Sequence, residues 1–187
     1  MTDSSLPLNS VEVLKDLVLR TAEHRDLTAI SSLYNFYVKS STATFACVEE
    51  TLEERKSWFQ AHVDDKKPIY VADLHGRVLG FASLSSYSNR CGYKDTCEIS
   101  IYIDPVCVSR GIGKSLLDRL LEDCRRQYHV ALALICSENE HSLRLFRSRG
   151  FEEVGKLRQV GYKFDRFLDV SILELICRGS RVSSMAP

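Results

Sequence analysis

The run Ser109-Arg110-Gly111-Ile112-Gly113-Lys114-Ser115 has the residues an anion site needs. It falls between an apolar strand pattern and an apolar helix pattern, where the unpaired N–H groups and the dipole of a helix N-terminus attract negative charge. Glycine lets the backbone approach a phosphate closely, and Arg110 and Lys114 add positive charge. Two glycines also make an ordinary tight turn. Cations at a helix N-terminus oppose the macrodipole unless an anion joins them, so a pyrophosphate site is the better reading. Two familiar phosphate motifs are excluded. A P-loop ending in Gly113-Lys114-Ser115 needs glycine where Val108 stands, and a dinucleotide fingerprint needs glycine or alanine where Leu116 stands.

Other reactive residue types give weaker signals. The seven cysteines, Cys47, Cys91, Cys97, Cys107, Cys124, Cys136 and Cys177, are scattered. None has Cys-x-x-Cys spacing or a zinc pattern with histidine, so no metal is expected and the thiols read as buried or half-buried. No histidine partner or local charge pattern marks Cys91 or Cys97 as a nucleophile. Glu98 is a lone acid beside Ile99, Ile101 and Ile103, and alternation puts it on one face with Ser100 and Tyr102.

The elements that must position these residues follow from periodicity. Residues 17–20 suit a first strand. Asp26 is placed to cap a helix carrying Leu27, Ile30, Leu33, Tyr34 and Tyr37, and Thr51 with Glu54 forms a capping box for a second, in which Trp58 and Phe59 read as core. Strands at 69–74 and 78–84 join through His75-Gly76, a hairpin signal, and a strand at 96–103 stops at Asp104-Pro105. From Gly113, the residues Leu116, Leu117, Leu120, Leu121 and Cys124 form one helical stripe. A strand at 131–136, a helix at 139–149 closed by Gly150, and strands at 152–160 and 167–176 complete the order β-α-α-β-β-β-α-β-α-β-β. That order predicts an α/β fold, a mixed, mostly antiparallel sheet with helices on both faces.

The 187 residues suffice for one domain with its own core. Lys plus Arg and Asp plus Glu balance at 25 each, so no bulk field points to nucleic acid or membrane, and a small, locally recognised partner is expected. With no basic leader and no apolar run of membrane length, a cytoplasmic protein is expected. Residues 1–16 and 178–187 read as tails around a domain at 17–177.

The glycine turn, together with Asn139-Glu140-His141-Ser142-Leu143 and Gly150-Phe151-Glu152-Glu153-Val154-Gly155, resembles the GCN5-related N-acetyltransferases (GNAT). Their pattern Arg/Gln-x-x-Gly-x-Gly/Ala is met by Gly111 and Gly113, with Val108 replacing the usual first residue. Within them the chain looks like the phosphinothricin and methionine sulfone/sulfoximine branch. The residues that carry this are Ser40-Ser41-Thr42 before Phe45, Arg90-x-x-Tyr93 before Glu98, Gly161-Tyr162-Lys163-Phe164, and Leu168-Asp169-Val170.

The resemblance implies an enzyme of the GNAT fold that moves the acetyl group of acetyl-CoA to the primary amine of a small amino-acid-like acceptor by direct attack, with no metal. It implies Glu98 as general base and backbone groups of Ile101, Tyr102 and Ile103 facing pantetheine and the oxyanion. It also implies Arg110, Gly111, Ile112, Gly113, Lys114 and Ser115 around the pyrophosphate, Asn139 and Ser142 on the pantetheine arm, and Arg90 and Tyr93 on the acceptor. Ser88 stands where the branch sometimes has a second basic residue. Phe146 holds the position of the usual proton donor, so Tyr102, water or unassisted departure remain for the thiolate, a fair leaving group with a pKa of about 8.5. Lys163 reads as a surface lysine or a substrate contact. A homodimer is left open, and a non-catalytic acyl-CoA-binding module and a protein N-terminal acetyltransferase are the competing readings.

Overall fold

The computed structural model describes residues 15–177; the two tails expected from the sequence lie almost wholly outside them. Seven strands and four α-helices follow in the predicted order: β1 (Leu17–Thr21), α1 (Leu27–Ser40), α2 (Leu52–Asp64), β2 (Ile69–Leu74), β3 (Arg77–Ser86), β4 (Thr96–Ile103), α3 (Ile112–Gln127), β5 (Val130–Cys136), α4 (Glu140–Arg147), β6 (Glu152–Lys163) and β7 (Arg166–Ile176). The sheet order is β1-β2-β3-β4-β5-β7-β6, antiparallel except for the β4–β5 pair. β4, with Glu98, is therefore the central strand.

The sheet divides two cores. On one face, α3 buries Leu116, Leu117, Leu120 and Leu121 completely or nearly so, and α4 adds Leu143 and Phe146. Each such leucine contributes about 1.5–3 kcal/mol of burial, which anchors the helix whose N-terminus carries the glycine turn. On the other face, α1 and α2 pack Leu27, Ile30 and Phe59 on Val71 and Phe81. Trp58 is only partly buried at the margin of that core, where it stacks against the guanidinium of Arg55.

Local signals held in most places. Thr51 and Glu54 close the capping box of α2 reciprocally, and the hairpin turn has His75 and Gly76 both at positive φ, as its tight geometry requires. Asp26 is a correction: its side chain makes no cap bond to α1 but turns back to accept from the Glu23 N–H and to pair with Arg20. β6 runs three residues past the expected 160, because Phe164 and Asp165 make a left-handed turn without glycine or asparagine. Five cysteines are buried, but Cys47 and Cys91 are exposed. Among the described residues, no helix is long and apolar enough to cross a membrane, and no cluster of His, Cys, Asp or Glu could hold a metal.

Candidate active site

The sheet parts at its centre. β4 and β5 pair at three positions only, from Thr96–Val130 to Glu98–Leu132, although β4 continues to Ile103 and β5 to Cys136. Beyond Glu98 the strands diverge, which leaves the β4 edge from Ile99 onward without a partner on that side. A narrow cavity of about 50 Å³ fills the opening, lined by Ile99, Ser100, Ile101, Tyr102 and, across from them, Leu134, Ile135 and Cys136. Unpaired strand edges bond whatever extended chain lies beside them, so this gap is built for an added strand of peptide-like groups.

The narrow cavity opens into a larger one of about 580 Å³; Ala43, Ile101, Asn139, Ser142 and Phe146 line both. The far end of the larger cavity is the start of α3, where Val108, Ser109, Gly111, Gly113 and Lys114 form its wall. Ser109 and Gly111 are both left-handed, at φ 66° and 87°. The first intrahelical bond here runs from the Ser115 N–H to the Gly111 carbonyl at 3.1 Å, so the N–H groups of Ile112, Gly113 and Lys114 come before any helical partner. No acidic side chain occupies that first turn. Gly113 touches its surroundings closely: a Cβ there would lie 3.3 Å from Leu145 Cδ2 and 3.7 Å from Ile103 Cγ1. This end of the cavity fits a phosphorylated anion.

The predicted residues are brought together unevenly. Ile101, Ile103, Gly111, Gly113, Lys114, Asn139 and Ser142 line the large cavity, and Tyr102 the narrow one. Ile112 is 1% exposed with its side chain in the core, which leaves only its backbone for a ligand. Asn139 is the N-cap of α4 and accepts from the Ser142 N–H through Oδ1 at 3.1 Å, so its amide NH₂ is the end left for the cavity. Arg110 and Ser115 adjoin the turn without lining either cavity. Phe146 is buried edge-on against Phe151 at 5.0 Å, a purely apolar wall.

Glu98 lines neither cavity; it is the last β4 residue paired with β5, next to where the strands part, half-buried and with Ser85 opposite it on β3. Burial pushes its carboxyl pKa above the ordinary glutamate value. Tyr102 shares its face, stacked on Phe81 at 5.1 Å and edge-on to Tyr34; burial first and Tyr34 second raise its pKa well above that of a free phenol. Arg90 and Tyr93 sit apart from both cavities, in the loop between Ser86 and Thr96 that leads into the Glu98 end of β4. Tyr93 packs on Tyr87 at 5.3 Å, and both Arg90 and Tyr93 are exposed.

Some cavity residues carried no functional signal in the sequence. Tyr37 donates its hydroxyl to the Ile103 carbonyl at 2.6 Å and lines the large cavity, although its spacing marks it only as a core position of α1. Burial raises its pKa. His141 and Arg144 line the cavity from α4. Lys163 is a correction: instead of a surface lysine it is 5% exposed, with its ammonium on backbone carbonyls of the loop after α1.

A sheet parted beside an acid, with a cleft running to an anion-type turn, is the architecture of a transferase for a long phosphorylated donor. Residues 19–172 match the family described as acetyltransferase (GNAT) domain, and the chain belongs to that family. It is 34% identical over 160 residues, 85% of this chain and 94% of the relative, to an L-methionine sulfoximine/L-methionine sulfone acetyltransferase of Salmonella typhimurium. Its identity to a phosphinothricin N-acetyltransferase of Streptomyces coelicolor is 33%, over 85% of this chain and 95% of that one. The crystal structure of a phosphinothricin acetyltransferase from Sinorhizobium meliloti in complex with AcCoA superposes with a TM-score of 0.85 at 30% identity, covering 90% of this chain and 92% of that one. The chain is an N-acetyltransferase, with acetyl-CoA as its acetyl donor.

Proposed function

We propose that this enzyme acetylates the primary amine of a small amino-acid-like acceptor of the phosphinothricin or methionine sulfone/sulfoximine type, with Glu98 as the general base. The observation that carries the reading is the parting of β4 from β5 immediately after Glu98. An acid of raised pKa thus stands beside the point where the strands part, and the cleft that begins there runs to the anion turn. Acetyl-CoA supplies an activated carbonyl. N–H groups of Gly111, Ile112, Gly113 and Lys114, with Arg110, hold its pyrophosphate, while the Ser115 N–H and hydroxyl close the first turn on the Gly111 carbonyl. Asn139, Ser142 and the open backbone edge of Ile101, Tyr102 and Ile103 hold its pantetheine arm and polarise the carbonyl.

An amine is an ammonium at neutral pH, and Glu98 takes its proton directly or through water. Burial that raises the carboxyl pKa makes it a stronger base once ionised. Arg90 and Tyr93, in the loop over that end of β4, bind the acceptor's anionic group, for which a guanidinium fork is suited. Phe146 has no proton to give, so the departing thiolate takes one from Tyr102 or solvent, or leaves without help.

The names of the curated relatives, a methionine sulfoximine/methionine sulfone acetyltransferase and a phosphinothricin N-acetyltransferase, support a small acceptor. The exposed edge strand β6 supports a homodimer, since Val154, Leu157, Val160 and Tyr162 are open to solvent along it. The unpaired thiols suit a reducing cytoplasm. The deciding experiment offers methionine sulfoximine, methionine sulfone, phosphinothricin and a short peptide with acetyl-CoA, and follows free thiol. Turnover with one of the three amino-acid analogues and none with the peptide is expected; turnover with the peptide alone overturns the reading.

A further inference from the structure

One wall of the cleft is a loop that its own sequence holds only in part, through Ser41 and Thr44 hydroxyls that accept from the Ala43 and Ala46 N–H groups. Ser41, Thr42 and Ala43, just after α1, line the large cavity, and Ala43 lines the narrow one too. The segment is clamped from a distant strand. Lys163, the last residue of β6, donates from Nζ to the carbonyls of Ser41 and Thr44 at 2.8 Å each, and to that of Tyr37 at 3.4 Å. The residue is 5% exposed, and among the described residues no carboxylate pairs with it. An ammonium buried without a carboxylate is costly unless its protons are all met. Here three N–H donors meet three converging carbonyls. Two of these, from Tyr37 and Ser41, end α1, where the helix dipole favours a cation.

Two further contacts work on the same segment. Gly161 leaves room for Phe45: a Cβ at that glycine would lie 2.9 Å from the ring. Tyr34 Oη stands 3.2 Å from Thr44 Oγ1. The end of β6 and the loop after α1 are therefore one packed unit facing the cleft.

We infer that Lys163 is a positioning residue for acetyl transfer, which holds residues 41–44 as a fixed wall of the cleft. It touches no reacting atom; it acts through the loop. The inference rests on the reading of the cleft as the acetyl-CoA site, but the wall itself can be measured without turnover. A methionine fills nearly the same volume with no donor, whereas an arginine keeps the charge and the donors.

The test uses the full chain as Lys163→Met and Lys163→Arg, with Gly161→Ala as a variant that displaces Phe45 without touching the charge. Amide hydrogen exchange over residues 41–47, thermal melting, acetyl-CoA affinity, and kcat and KM are read together. In Lys163→Met, exchange in 41–47 should quicken about tenfold or more while β2 to β4 stay protected. In the same variant kcat should fall about tenfold, because small misplacements of reacting groups are costly. Lys163→Arg should recover most of both, and Gly161→Ala should loosen the same segment. Wild-type exchange in 41–47 in Lys163→Met overturns the inference, as does faster exchange with kcat and KM unchanged. So does an activity loss that only tracks the loss of folded protein. If Lys163→Met does not fold, Lys163→Gln takes its place: uncharged and shorter in reach, it should still loosen 41–47, and wild-type exchange and kinetics in it overturn the inference. If the wild type acetylates no amine, the functional reading fails separately, and local exchange with acetyl-CoA affinity still decides the clamp.

Discussion

Glu98 stands directly across the β3–β4 ladder from Ser85, whose hydroxyl lies 3.2 Å from Nε2 of the buried His62. An acid in such a half-buried place is kept at a cost to stability. With its folded pKa above the unfolded value, the folded chain binds the proton more tightly, so this group's contribution to stability falls as pH rises through that window. Glu98→Gln removes the cost together with the base. It should lower kcat/KM by about 10²–10⁴-fold near neutral pH and raise the melting temperature slightly. In the wild type, kcat/KM should fall as pH drops through the raised carboxyl pKa. A Gln variant with full activity across pH would mean that the amine's proton goes elsewhere.

Gly113 should be the most sensitive position for the donor. A carboxylate there would repel a pyrophosphate, and its Cβ would crowd Leu145, whose flexible end can give way. Gly113→Asp is expected to fold and to weaken acetyl-CoA binding by about 100-fold, a loss of about 2.7 kcal/mol. Gly113→Ala should lose less. Calorimetry that finds unchanged affinity in folded Gly113→Asp removes the anion site from the start of α3.

Arg90 is exposed in its loop, where its backbone N–H donates to Ser88 Oγ and its carbonyl accepts from the Tyr93 N–H, bonds that truncation of the side chain leaves intact. Arg90→Ala should therefore leave the melting temperature unchanged within error and raise the KM of an anionic acceptor far more than that of acetyl-CoA. For a charge-assisted contact an effect of about 1.5–3 kcal/mol, or about 10–150-fold, is expected. Equal rises for both substrates, or none, would take Arg90 out of the acceptor site.

What was legible in the sequence divides along the range of the interactions. Element order and the two glycine-marked turns were readable because they are local: Thr51 with Glu54, His75 with Gly76, and Gly111 with the stripe behind it each act within a few residues. That the backbone of Ile101, Tyr102 and Ile103 faces a ligand was implied only by the resemblance, since nothing in Ile99, Ile101 and Ile103 tells a paired strand edge from an open one. Lys163 was misread because its partners are carbonyls more than a hundred residues earlier, and carbonyls have no residue type. Asp26 was misread for a related reason: its cap position was local, but Arg20 and the Glu23 N–H competed for the carboxylate.

His62 supplies a stability test that is independent of catalysis. Its Nδ1 is 2.8 Å from the Trp58 carbonyl, which only accepts, so Nδ1 carries the proton and Nε2 accepts from the Ser85 hydroxyl. This is a neutral ring, and burial pushes its pKa below the ordinary 6.5; nearby Lys67 and Arg55 push the same way, against the Trp58 bond and Asp65. As pH falls below the unfolded value, the unfolded chain takes up a proton that the folded ring resists. The contribution is thus fully favourable above about 6.5 and is lost as pH drops toward the depressed folded pKa. Urea unfolding at about pH 7.5 and about pH 5.5 should show wild-type stability falling more than that of His62→Gln. Comparing the two proteins cancels the opposite contribution of Glu98, which both retain. Parallel losses in the two would mean that His62 titrates alike in the folded and unfolded chains, and that its buried bonds do not hold it neutral.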